Sequence, residues 1–142
     1  MSELSEALRT LVFARAAGRC EYCHLPSEGQ VGRFPVDHIL PRTAGGPTDP
    51  ANLALACHHC NAHKWSHQIA KDPVTGETVF LYHHRRQFWA EYFTWSSGQP
   101  VHLVGRTSVG RATIERLQMN HPDLLIARNL LAALGRFPAD EK

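Results

Sequence analysis

The chain has 142 residues, 43% of them hydrophobic and 20% charged. That balance supplies a core for one compact domain, or a small domain with an extension, and excludes fibrous, collagenous and disordered chains. The formal charge of +2 does not announce a nucleic-acid partner, although twelve of the 15 cations are Arg, whose planar fork suits bidentate phosphate contact.

No apolar run approaches the length of a membrane helix, ~18 residues. Glu3 and Glu6 stand where a secretory leader would be basic, so a cytoplasmic protein without a membrane partner is expected. Leu4, Leu8, Leu11, Val12 and Phe13 fall at near-helical spacing and predict an amphipathic helix over 3–17, with Ser2 as its cap and Gly18 as its stop. Pro26, Gly29 and Gly32 make 25–34 a loop, and Val36 to Leu40 reads as a short strand ended by Pro41. Turn formers crowd 44–50, and Asn52 to Ala56 returns as a second strand, so the two strands form a hairpin around a long loop. Asn61 to Ala70 lacks Gly and Pro and predicts a helix that starts at or just before Asn61 and stops by Asp72-Pro73.

The second half predicts a turn over 72–77, a strand over Thr78 to Tyr82 and a short helix over Arg85 to Tyr92. A hairpin of 93–95 with 101–104 follows, then two closing helices over 107–119 and 122–134, the second with Pro122 in its first turn. The expected division is a core over 1–71 and an extension over 72–142 packed on it.

Cys20, Cys23, Cys57 and Cys60 form two Cys-x-x-Cys pairs separated by 33 residues. Four thiolates in two tight pairs suit a closed tetrahedral zinc site. A redox motif, which usually occurs once, and paired disulfides, which need an oxidising compartment, are the competing readings. A hairpin tied by zinc to the following helix would bring Asp37, His38 and Asn61 together. A carboxylate and an amide oxygen then suit one hard cation, and an imidazole titrating near neutrality suits a general base.

Cys20-Glu21-Tyr22-Cys23, Asp37-His38-Ile39-Leu40-Pro41-Arg42 with Gly45-Gly46, Asn52-Leu53-Ala54-Leu55 and Cys57-His58-His59-Cys60-Asn61-Ala62-His63-Lys64 together resemble the zinc-containing HNH endonucleases of the ββα-metal type. The resemblance runs from Arg19 to Lys64 in unbroken order. It implies an α+β fold whose ββα-metal core carries a four-cysteine zinc site, an N-terminal helix and a C-terminal extension of short strands and two helices. His38 would be the general base, Asp37 a metal ligand, and Asn52 the brace of the loop between the strands. Asn61 stands where many members have His, which keeps Mg²⁺ or Mn²⁺ acceptable while softer metals lose preference.

The activity so implied is metal-dependent hydrolysis of phosphodiesters in DNA, by nicking or cutting the double strand with water to leave 5′ phosphate and 3′ hydroxyl ends. Such proteins are commonly bacterial or phage nucleases. Arg42, Lys64, Arg85 and Arg86 are the candidate DNA contacts, and the small net charge leaves room for a protein partner in targeting. Each residue also has a plainer reading. Asp37 can cap a turn, His38 can be a surface histidine, Asn61 can be an N-cap, and Lys64, Arg85 and Arg86 can be solvated. Trp89 and Trp95 suit core packing better than base stacking. The alternative function is a zinc-stabilised nucleic-acid-binding module with a vestigial nuclease site.

Overall fold

The computed structural model describes residues 4–28 and 30–138, so Ser2 and Gly29 lie outside the described residues. The chain is a mixed α/β protein in two compact units: residues up to Gln68 together with His83–Gln87, and Ile69–Tyr82 together with the chain from Phe88 on.

In the first unit, α1 spans Glu6–Arg15 and is capped by Ser5, whose hydroxyl accepts from the Leu8 N–H at 3.1 Å. Its buried residue is Val12, and the helix packs on strand β2. Strands β1 (Val36–His38) and β2 (Leu53–Leu55) pair antiparallel, with Asp37 opposite Ala54. All of β2 is buried, as expected of a strand covered on both faces. Arg15 ties the helix to the strand entry by donating to the carbonyls of Pro50 and Leu53. Helix α2 (His58–Lys64) follows, with Cys57 as its N-cap.

In the second unit, β3 (Ile69–Lys71) and β4 (Thr78–Phe80) pair antiparallel around a turn organised by Asp72. Its carboxylate accepts from the Val74 N–H at 3.0 Å and the Thr75 hydroxyl at 2.8 Å. One helical turn, α3 (Trp89–Tyr92), leads into β5 (Phe93–Trp95), which pairs with β6 (Leu103–Gly105). Helix α4 (Ser108–Leu117), capped by Thr107, lies close against β6. That approach needs Gly110, where a Cβ would stand 2.1 Å from the Tyr92 carbonyl oxygen. Arg111 reaches Asp72 with two hydrogen bonds of 2.9 and 2.8 Å. Helix α5 (Pro122–Ala133) closes the unit with Pro122 in its first turn. Trp89 and Trp95 pack on each other, with Trp89 on Phe93 and Trp95 on Phe137, so they serve the core of this unit.

Three sequence expectations are corrected. The helix expected to reach Ala70 ends at Lys64, because Ile69–Lys71 finds a ladder partner in Thr78–Phe80 and the backbone at Trp65 leaves the helical region. The helix expected from Arg85 begins only at Trp89, and the strand expected through Tyr82 stops at Phe80. Among the described residues no helix is long and apolar enough to cross a membrane.

Candidate active site

The two cysteine pairs are presented by different local structures. Cys20 and Cys23 sit on the turn inside the Arg19–Pro26 bridge, where the Cys23 N–H points at the Cys20 sulfur at 3.4 Å. Cys57 caps α2 and receives the Cys60 N–H at the same 3.4 Å. All four are buried free thiols, their sulfurs lie within 4.8 Å of one another, and the Cys23 and Cys57 sulfurs are 3.7 Å apart. A tetrahedral ion with zinc–sulfur bonds of ~2.3 Å places its sulfurs about 3.8 Å apart, so the cluster fits a structural zinc.

Asp37, at the centre of β1, is buried between groups that these knuckles carry. Tyr22, between Cys20 and Cys23, donates its hydroxyl to Asp37 Oδ2 at 2.7 Å, and the His84 ring packs edge-on against the Tyr22 ring at 4.1 Å. Lys64, at the end of α2, donates Nζ to Asp37 Oδ1 at 3.1 Å and to the carbonyls of His38 and Ile39, each at 3.2 Å. Burial pushes the Asp37 carboxyl up, opposed by the Lys64 charge and the two hydrogen bonds. Each carboxylate oxygen keeps a lone pair, because an ionised carboxylate offers about four acceptor sites.

His38 follows at the strand end. Its Nε2 lies 2.8 Å from Thr48 Oγ1 and accepts from Arg42 Nε at 3.2 Å. A guanidinium only donates, which assigns the ring proton to Nδ1. Burial first, then the positive charges of Arg42 and Lys64, lower the His38 pKa and favour the neutral imidazole.

Asn52 stands at the entry to β2. Its Oδ1 accepts from the Leu40 N–H at 2.8 Å, and its Nδ2 donates to the carbonyls of Leu40 at 3.0 Å and Pro47 at 2.9 Å. These bonds pin both ends of the loop after β1. Gly46 completes the turn, since a Cβ there would lie 1.7 Å from the Leu40 oxygen.

Asp37, His38, Arg42 and Asn61 line one cavity of about 220 Å³, together with Val36, Pro41, Thr43, Trp65 and Ser66. The fold therefore assembles one carboxylate, one amide, one neutral imidazole and one guanidinium around an open space. The remaining candidates are placed elsewhere. Lys64, read in the sequence as a phosphate contact, is buried with its ammonium directed at Asp37 and two backbone carbonyls. Arg85 pairs with Glu21, whose other oxygen accepts the Leu55 N–H, and Arg86 is exposed. Sequence reasoning gave no role to Tyr22, Thr48 or Trp65. Only Tyr22 carried a signal, an aromatic residue enclosed within a metal-type cysteine pair.

The model of the family described as HNH endonuclease matches residues 20–66. Over this segment the chain is similar to the HNH endonucleases. The HNH segment contains both cysteine pairs and every residue of the cavity. A curated relative, the Septu protein PtuB of Bacillus thuringiensis, is 25% identical over 127 residues, which cover 87% of this chain and 45% of the relative. The chain thus spans less than half the length of that relative. No solved structure matches the chain.

Proposed function

We propose that this chain is a metal-dependent DNA endonuclease that hydrolyses phosphodiester bonds in the ~220 Å³ cavity. The observation that carries the reading is the meeting of Asp37, His38 and Asn61 in one cavity of an HNH segment. The cysteine cluster holds a structural zinc that joins α2 to the turn at residues 20–23. With all four thiolates given to it, such an ion would close the fold and leave the chemistry to the cavity.

Asp37 and Asn61 supply the oxygens for one Mg²⁺ or Mn²⁺. When bound, this ion neutralises charge on the phosphate and on the leaving 3′ oxygen. His38 takes the proton of the attacking water, a role its lowered pKa supports by keeping the ring neutral. With the proton on Nδ1, Nε2 is the basic atom, and its lone pair becomes free for the water proton when Arg42 releases it and turns to the substrate phosphate. Arg42 faces the same space and binds a substrate phosphate oxygen through its guanidinium N–H groups, the one released from His38 included. Asn52 acts at a distance, by fixing the loop that carries Arg42. A net charge of +2 gives modest non-specific attraction to DNA, and a protein partner supplies targeting.

Plasmid cleavage by zinc-loaded protein tests the reading. Supercoiled DNA is expected to convert to nicked or linear forms with Mg²⁺ or Mn²⁺, and conversion is lost without the added ion and in His38→Ala. DNA binding with no metal-dependent cleavage would identify a binding module instead.

A further inference from the structure

Trp65 ends α2 with φ +46° and ψ −120°, a conformation that residues with a Cβ rarely adopt. Its N–H still bonds the Asn61 carbonyl at 2.9 Å, so the departure from helical geometry falls on this one residue. Burial does not explain the strain, because the indole is 76% exposed and its ring contact is an edge-to-face approach to His67 at 6.1 Å. Glycine would take this backbone without strain and expose no apolar surface. The side chain nevertheless stands on the wall of the cavity that contains Asp37, His38 and Asn61.

An exposed indole beside a phosphodiester site has one obvious class of ligand, the flat face of a nucleobase. In intact duplex those faces are covered by neighbouring base pairs, whereas an unpaired nucleotide offers one. We infer that Trp65 is a stacking platform for an unpaired base next to the scissile phosphate, so that the substrate class is DNA with a locally unpaired strand. The inference rests on the endonuclease reading above and narrows it. The exposed backbone-strained tryptophan thus acts in substrate choice, while Asp37, His38 and Asn61 act on the phosphate.

The test uses zinc-loaded protein, Trp65→Gly and Trp65→Phe, with fluorescein-labelled oligonucleotides of one sequence prepared single-stranded and as full duplex. Binding is read by anisotropy with no divalent ion added, and cleavage of the same oligonucleotides is read with Mg²⁺. A stacked base contributes enough that Trp65→Gly should weaken single-strand binding by about 5- to 150-fold, with duplex binding changed by less than about twofold. Trp65→Phe should fall between, and the melting temperature of Trp65→Gly should match or exceed that of the parent, which separates lost stacking from misfolding. Unchanged single-strand affinity in Trp65→Gly, or equal losses on both DNA forms, overturns the inference. If the parent cleaves nothing yet Trp65→Gly still loses single-strand binding selectively, the stacking role stands and the endonuclease reading alone fails.

Discussion

Lys64 and Asp37 form an ion pair at 3.1 Å in which the side chains are 1% and 5% exposed. The lysine ends α2 and the aspartate, which lines the cavity, lies at the centre of β1, so the pair fastens helix to strand. Three acceptors surround the ammonium, and Tyr22 takes the second carboxylate oxygen. A buried carboxylate so surrounded stays oriented toward the space where a cation would sit, at the cost of desolvating two charges.

Removing one member of such a pair leaves an uncompensated buried charge, worth ~3–5 kcal/mol. Lys64→Met should therefore lose about 3 kcal/mol in urea unfolding while retaining zinc. Combining it with Asp37→Asn should cost less than the sum of the two single changes, because the double variant buries no lone charge. Strict additivity in that cycle would show that the two side chains do not depend on each other.

Asn52 makes three hydrogen bonds from one amide and closes the loop that carries Arg42 and Thr48 past His38. Asn52→Ala removes three part-buried hydrogen bonds to the backbone of Leu40 and Pro47, each worth about 0.5–1.5 kcal/mol net. Cleavage should fall at least tenfold while zinc content stays at the parent level, as checked by cleavage kinetics beside metal analysis. Asn52→Asp, which keeps the acceptor for the Leu40 N–H, should recover part of the stability lost in Asn52→Ala.

Much of the site was legible because its signals are local. The cysteine spacing, the Asp37-His38 step before Pro41, and Asn61 after Cys60 each lie in a short stretch that either the hairpin or α2 presents. Lys64 was harder to read, since its sequence position puts it on the helix of Asn61 but not on a particular side of it. The observed direction depends on Asp37, 27 residues earlier in the chain. The strand over Ile69–Lys71 was hidden for a similar reason. Ile69-Ala70-Lys71 continues a segment free of Gly and Pro, and only its pairing with Thr78–Phe80 makes it extended. Trp65 carried no sequence signal, because strain is a property of φ and ψ and an exposed tryptophan looks like a core residue in a list of letters.

The zinc proposal predicts one ion per chain and a fold that depends on it. The four sulfurs join the turn at residues 20–23 to the start of α2, and the helix spans only seven residues. Short helices are marginal without tertiary anchoring. Cys57→Ser keeps a side chain that can cap α2 and accept the Cys60 N–H, so the substitution isolates the loss of the thiolate. The variant should bind zinc substoichiometrically and lose several kcal/mol, as read by elemental analysis and thermal unfolding. A chelator strong enough to strip the ion should melt the parent in the same way, and full stability after verified zinc removal would contradict the assignment.

The second unit has its own pH signature. Two hydrogen bonds from the Arg111 guanidinium, aided by the Val74 N–H and the Thr75 hydroxyl, hold the Asp72 carboxyl well below the usual carboxylate range. Burial opposes this shift without reversing it. Because the folded form binds this proton less readily than the unfolded chain does, the contribution to stability is complete above the ordinary aspartate pKa of 3.8 and is lost as pH falls below it. The parent should therefore show a stability loss between pH 4 and lower values that Asp72→Asn lacks in part. The variant should start from lower stability at pH 7, since an amide offers a single acceptor oxygen to the Arg111 fork. Thermal unfolding of both proteins at several pH values from 7 down to 3 measures the difference, and parallel curves would remove Asp72 from the acid response.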